Sequence, residues 1–360
     1  MKFLFVVQGE GRGHLTEAVS LYELLRDNGH EVSRVLIGRN NRRILPEFIS
    51  QRIAPPVETF ESPDFLVDKS GKSLRIAASL IYNLGICRRF FKSIAFLRKT
   101  IQNDKPDVVI NFYELLCGLT YFVYRPQTPC VCLGHHLIMQ HPDFHFPTER
   151  KIEKFLLKLN TRLTCIGAQK LLALSYKKWP DVPDRKLYIL PPLLRKEILN
   201  MQPETGSFLL VYLLNPGYID EIISWHKDYP DVIVHCFCDS PPQFKYPGLT
   251  FHVINDRLFE EYLRTCSGFI TSAGFEALCE ALYLDKPVMM VPTGHHYEQF
   301  CNAYAASKNG LCLSEKKFNI SSFLNYMKNP CPDREKYKSW IHSFQSEFQK
   351  HLAEISNFKS

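Results

Sequence analysis

No run in the sequence reaches the roughly 18 apolar residues of a membrane-spanning helix. The opening apolar stretch, residues 3–7, runs straight into Gln8-Gly9 and is too short for the core of a secretion signal. Internal repeats and low-complexity tracts are also missing. None of the 12 cysteines forms a Cys-x-x-Cys pair, so no metal site is expected from them, and without a signal they read as reduced thiols of a cytoplasmic protein. Cys130/Cys132 and Cys236/Cys238 are pairs two apart in strand-like runs, each facing one side of its strand. Acidic residues are missing from one long stretch. Between 69 and 99 there are eight basic residues (Lys69, Lys72, Arg75, Arg88, Arg89, Lys92, Arg98, Lys99) and none acidic. The formal net charge is +7, so the rest of the chain is close to neutral, and no nucleic-acid footprint is expected.

What is present is an α/β pattern. A chain of 360 residues, 45% hydrophobic and 22% charged, suits two soluble domains that each bury a core. Short buried runs at 2–8, 31–37, 105–110, 129–134, 171–175 and 187–190 alternate with helical stretches, and predict a Rossmann-like domain over 1–190. Pro191-Pro192 opens a linker, 191–206. Runs at 207–213, 232–238, 249–254, 268–272 and 288–292 predict a second such domain, 207–332. Over 333–360, Tyr337, Ile341, Phe344, Phe348, Leu352 and Ile355 recur at helical spacing and predict an amphipathic helix. Thr16 is placed to cap the first helix and Gly29 to close it. Residues 74–101 predict a long helix interrupted at Gly85, with Leu80, Leu84, Cys87, Phe91 and Ile94 on one face.

The stretch 268–302 carries the most information. A buried strand, the Ala273-Gly274 turn, a helix, a second strand ended by Pro292, the turn Thr293-Gly294-His295-His296 and another helix follow one another. Two successive strand-to-helix turns place two helix N-termini at the carboxyl edge of a parallel sheet. Their free N–H groups and partial positive charge suit a diphosphate. Taken without a ligand, Glu276 and Glu280, four residues apart, would be a solvated helix face. His135, His136, His141 and His145 would be surface or hydrogen-bonding residues.

Three parts of this stretch occur in order: Ser-Ala-Gly-(x)5-Glu over 272–280, Lys-Pro-(x)3-Val-Pro over 286–292, and Gln-(x)2-Asn-Ala over 299–303. Together they resemble the donor half of GT-B glycosyltransferases, above all the N-acetylglucosaminyltransferase of peptidoglycan's lipid-linked precursor. The turn Gly9-Glu10-Gly11-Arg12-Gly13-His14, followed by Ala18, resembles that group's Gly-Gly-His-(x)3-Ala turn, and Lys-Pro-Asp-Val-Val at 105–109 resembles a further strand. The resemblance implies two Rossmann-like domains facing a cleft, with the C-terminal helix crossing back to the first.

The resemblance also implies roles. Glu280 grips the ribose of a nucleotide-sugar donor, while Glu298 and Gln299 contact sugar hydroxyls. Ser272, Ala273, Gly274, Gly294 and His295 line the donor turns, and Asn215 and Gly217 remain of a usually glycine-rich phosphate turn. Gly11, Arg12, Gly13 and Tyr113 face the acceptor. His14 is the expected general base, because imidazole titrates near neutral pH, with Glu114 as the alternative. The glycine-rich acceptor loop of the family is replaced here by Asn111-Phe112-Tyr113-Glu114. No Asp-x-Asp motif occurs, so neither a metal nor a cofactor is expected beyond the co-substrate, UDP-linked hexose or N-acetylhexosamine being the first choice. Helix N-termini would carry the departing diphosphate, and a single displacement would invert the anomeric carbon.

The acceptor is expected to be a glycan or a lipid-linked hydroxyl of cell-envelope synthesis. The basic, apolar-rich segment 69–99 would then rest on the anionic inner face of the cytoplasmic membrane, or else pack as a core helix. The other readings are a nucleotide-sugar hydrolase, an epimerase of the same fold, and a non-catalytic sugar-nucleotide-binding module.

Overall fold

The computed structural model describes residues 1–39, 45–63, 75–213, 216–242, 244, 246–329 and 334–357. The expectations for Asn215, Lys69 and Lys72 lie outside these residues. Thirteen strands form among them: β1 (Lys2–Gln8), β2 (Glu31–Arg39), β3 (Val57–Glu61), β4 (Val108–Phe112), β5 (Cys130–Gly134), β6 (Ala168–Leu174), β7 (Leu187–Leu190), β8 (Phe208–Leu213), β9 (Ile233–Cys238), β10 (Leu249–Val253), β11 (Gly268–Thr271), β12 (Val288–Met290) and β13 (Leu313–Ser314). They make a seven-stranded sheet, β3-β2-β1-β4-β5-β6-β7, and a six-stranded sheet, β10-β9-β8-β11-β12-β13. Every neighbouring pair is parallel.

Parallel sheets covered by helices on both faces need strands that are apolar throughout. The central strands meet this: Phe3, Leu4, Phe5, Val6 and Val7 of β1 and Val108, Val109 and Ile110 of β4 have no exposed surface. In each sheet the strand order reverses once, between β1 and β4 and between β8 and β11. Open α/β sheets bind ligands in the crevice at such a reversal. The turns after β1, β4 and β11 carry His14, Tyr113-Glu114 and Ala273-Gly274, so the sheet order gathers most of the expected residues at these two points.

One apolar cluster runs from Val7 and Leu15 through Leu194 of the linker to Phe275 and Phe348, so the two halves share a core. The C-terminal tail forms two helices, Glu335–His342 and Phe344–Asn357, rather than one. The six apolar residues expected to repeat along it are all buried. It returns to the first sheet: Trp340 Nε1–H donates to the Ser175 carbonyl at 2.8 Å, and Lys170 Nζ donates to His351 Nδ1 at 3.2 Å.

Two local expectations change. The first helix starts at Gly13, and Thr16 Oγ1 donates back to the Arg12 carbonyl at 3.0 Å instead of capping. The basic stretch forms two helices, Ile76–Gly85 and Cys87–Asp104. Ile86 between them leaves helical geometry (φ −109°, ψ 10°), which matches the interruption expected at Gly85, and what changes is the expected apolar face. Ile94, Leu97 and Ile101 pack on the sheet against Leu4, Val6 and Val109, whereas Leu84 and Phe91 are 75% and 67% exposed.

Candidate active site

The first wall of the site grows from β1. Gly9 lies so close to β2 that a Cβ would stand 2.6 Å from the Gly38 carbonyl, which only glycine tolerates. Gly11 has φ +88°, the left-handed region, and turns the chain into the helix Gly13–Asp27. This turn sets His14 at the helix N-terminus, where it is buried. Glu17, three residues on, shares its helix face, and His14 Nδ1–H donates to Glu17 Oε2 at 2.7 Å. Burial opposes a charge on the imidazole, but Glu17 outweighs it and holds His14 above the ordinary histidine value. In turn burial would raise Glu17, and the facing imidazole holds it below the carboxylate range. This bond uses Nδ1 and leaves Nε2 of His14 outside it.

Tyr113, after β4, has φ +59°, and its hydroxyl bonds Thr161 Oγ1 at 2.5 Å. Its ring stacks on His136 at 4.0 Å between centroids, and on His14 at 5.8 Å. Glu114 is fully committed on one oxygen. Its Oε1 accepts from Ser62 Oγ at 2.6 Å and from the Leu116 N–H at 3.0 Å, capping the helix Leu115–Tyr124. Burial pushes its carboxyl up to about 7.

The second wall holds the donor motif. Ala273 sits at φ +62° and starts the tight turn before the helix Phe275–Tyr283. Asn302 Nδ2 donates to the Ala273 carbonyl at 3.3 Å, Ser272 is buried, and Gly274 has open space where a Cβ would be. Gln299 Oε1 accepts from the Thr293 N–H at 2.8 Å and fixes the second turn, in which His295 is at φ +57°. Gly294 lies in that turn, and Gly217 in the short helix Pro216–Tyr218.

Glu280 is buried, and Arg195 of the linker donates to both its oxygens at 2.6 and 2.7 Å. Glu276 and Glu280 are therefore not a solvated face, since the oxygens of Glu276 are buried as well.

The walls meet. Arg12 Nη1 donates to Asp256 at 2.6 Å. His135 and His136, in the turn after β5, are buried rather than on the surface, and their Nε2–H groups donate to the two oxygens of Glu298 at 3.0 and 2.8 Å. Phe275 stacks on His135 at 4.6 Å. Burial lowers His136 to about 3, so its ring is neutral. Burial opposes charge on Glu298 too, but His136 and the hydrogen bonds from both rings hold it well below the ordinary range. A crevice of about 20 Å³ remains between the walls, lined by His135, Tyr176, Trp179, Phe275 and Asn302 among others.

His135, His136 and Glu298 also bring three possible metal ligands within 4.8 Å of one another. A metal-bound imidazole ordinarily donates its second N–H to an orienting acceptor. Here both Nδ1 atoms are buried without a partner among the described residues, so the residues fit a carboxylate clamped by two N–H donors better than a metal centre. His141 is a structural residue, with Nε2–H donating to the Pro180 carbonyl at 3.0 Å.

Sequence reasoning passed over Glu17, Glu276 and Arg195 as site residues. The spacing of Glu17 from His14 would have found the first, but nothing local marks the other two.

Two facing parallel sheets whose order reversals converge on one cleft define a protein of the GT-B class. Residues 1–329 match Glycosyl transferase family 1, and the chain belongs to that family: it is a glycosyltransferase. It is 22% identical to an uncharacterized glycosyltransferase of Methanosarcina acetivorans, over 86% of this chain and 84% of that one. It is also 22% identical to the UDP-N-acetylglucosamine–N-acetylmuramyl-(pentapeptide) pyrophosphoryl-undecaprenol N-acetylglucosamine transferase of Pelagibacter ubique, over 93% of this chain and 91% of that one. Among solved structures, Arabidopsis thaliana UGT89C1 complexed with UDP superposes with a TM-score of 0.64 at 12% identity, covering 98% of this chain and 99% of that one.

Proposed function

We propose that the protein transfers a hexose or N-acetylhexosamine from a nucleoside-diphosphate sugar, UDP-linked by preference, to an acceptor hydroxyl, with inversion and without a metal. The observation that carries this reading is the buried His14–Glu17 pair at 2.7 Å, facing two helix N-termini across the cleft. The acceptor oxygen attacks the anomeric carbon while its proton passes to His14 Nε2. The bond from that carbon to the diphosphate oxygen breaks, and the diphosphate leaves with the electron pair. N–H groups at the starts of Phe275–Tyr283 and Tyr297–Lys308 stabilise it. Glu17 orients the imidazole and stabilises the imidazolium, as carboxylates do in hydrolytic triads. The name of the Pelagibacter relative and the UDP of the plant structure support UDP as the first nucleotide to test.

In the same reading the acceptor is lipid-linked. Ile81, Leu84 and Phe91 are 74%, 75% and 67% exposed beside the exposed Arg88 and Lys92. Ile152 and Phe155, on the helix Lys151–Thr164, are 73% and 64% exposed. Apolar side chains bordered by cations suit the headgroup layer of an anionic bilayer. Among the described residues, no helix is long and apolar enough to cross a membrane.

A calorimetric screen against UDP, GDP, dTDP and their sugars tests the donor side. One nucleotide is expected to bind with one site per chain, and binding of none would defeat the reading.

A further inference from the structure

Among the described residues, three carboxylate oxygens lie buried between the walls with no N–H or O–H to accept from: Glu17 Oε1, Glu276 Oε1 and Glu276 Oε2. They come from facing helices. Glu17 has no exposed surface, and its other oxygen is held by His14. Glu276 is in the first turn of Phe275–Tyr283, with its Cγ 3.5 Å from where a Cβ on Gly13 would stand. The two carboxyl groups are within hydrogen-bonding reach of each other.

Two buried carboxylates in contact do not both stay ionised. One proton between them turns the orphaned oxygens into partners, which is what buried polar groups require. The surroundings decide which residue keeps it. Glu17 faces His14 and His135, which favour its charge. Glu276 faces Glu17 across the cleft, Cys279 and Glu280 on its own helix, and Tyr337 of the C-terminal tail, while the cation Arg195 opposes them. Burial and these acidic neighbours, Glu17 foremost, push Glu276 well above the carboxylate range.

We propose that Glu276 is a positioning residue for the base. As a neutral acid its O–H donates to Glu17 Oε1, and this completes a chain His14–Glu17–Glu276 across the cleft when the two walls are closed. The inference rests on the reading of His14 as the base. It accounts for an acid at a helix N-terminus where a diphosphate is to sit, because a neutral Glu276 does not repel it. It also makes closure of the cleft an event that binds one proton.

The test uses the full chain, with Glu276→Gln, which keeps an N–H donor for Glu17, and Glu276→Ala, which does not. Neither of its readouts involves a sugar nucleotide, so they are independent of whether His14 is the base. Infrared spectra at pH 7 should contain, beside the carboxylic-acid C=O absorption of Glu114, a further such component that disappears in Glu276→Gln. The His14 Nδ1 proton resonance should persist in Glu276→Gln and shift or broaden in Glu276→Ala. A spectrum unchanged by Glu276→Gln, or a His14 resonance equally unaffected in both variants, overturns the proposal. Thermal unfolding of each variant checks that the fold is retained. Should Glu276→Ala unfold, the infrared comparison of wild type with Glu276→Gln decides alone.

Discussion

Arg195 holds both oxygens of Glu280, with Nε to Oε1 at 2.6 Å and Nη2 to Oε2 at 2.7 Å, and its third donor pairs with Glu260. The linker thereby locks the helix that presents the donor motif. Arg195→Ala would leave two buried carboxylates facing each other, a loss of about 3–5 kcal/mol. Glu280→Ala leaves Arg195 its second partner and should cost less, about 1.5–3 kcal/mol. Urea unfolding of the two variants gives this order, and equal losses would mean that the pair does not act as described. If Glu280 also meets the ribose, nucleotide affinity measured by calorimetry on the folded Glu280→Ala protein falls about 10–100-fold.

Glu17 raises the basicity of His14, so its removal has a signed effect on the pH profile. With His14 as the base, wild-type turnover should rise with pH as His14 loses its proton, at a value above that of an ordinary histidine. Glu17→Gln removes the charge that holds the proton, and burial then lowers the imidazole. The acid limb should move to lower pH while maximal turnover falls. An acid limb that stays in place would separate Glu17 from His14 in the chemistry.

Glu114 offers a stability test that needs no substrate. Burial raises its carboxyl from the ordinary 4.5 to about 7, so the folded chain holds a proton between these values that the unfolded chain has lost. That contribution makes stability fall as pH rises from about 4.5 to 7. Glu114→Gln keeps an acceptor for Ser62 and Leu116 and abolishes the titration. Its unfolding free energy relative to wild type should therefore climb over this range and level off above it. A difference independent of pH would contradict the assignment.

Much of the fold was legible because its central strands are apolar runs closed by glycine or proline. β3 was not, since its Val-Glu-Thr-Phe-Glu carries two acids and lies at a sheet edge, and β13 has only two residues. The donor turns and His14 were readable from strand–turn–helix spacing, and Glu17 was within reach through helical periodicity. Arg195 and Glu276 were hidden because their partners lie 85 and over 250 residues away in sequence. The tail looked continuous because its apolar spacing carries on through Ser343, where the helix breaks. Phe91 points outward because Ile94, Leu97 and Ile101 set the sheet-facing side of the helix Cys87–Asp104, a rotation that spacing alone does not reveal.

The exposed apolar and basic face makes a separate prediction. Co-sedimentation with anionic vesicles is expected, weakening at high salt because the basic contribution is screened. Phe91→Asp and Phe155→Asp, both at exposed positions, should reduce pelleting without lowering the unfolding temperature. Equal pelleting on neutral and anionic vesicles, or none on either, would rule this face out as a bilayer contact and favour a soluble acceptor.

The most direct test of the account is the turnover of His14→Ala, read as nucleoside-diphosphate release from the nucleotide sugar that binds best, alongside calorimetry of that same donor. With His14 as the base, turnover falls by about 10²–10⁴-fold, while donor affinity stays within a factor of about two because His14 lies on the wall opposite the two helix N-termini. Near-normal turnover in a folded His14→Ala protein that still binds the donor would contradict the account and move the chemistry to another residue of the cleft.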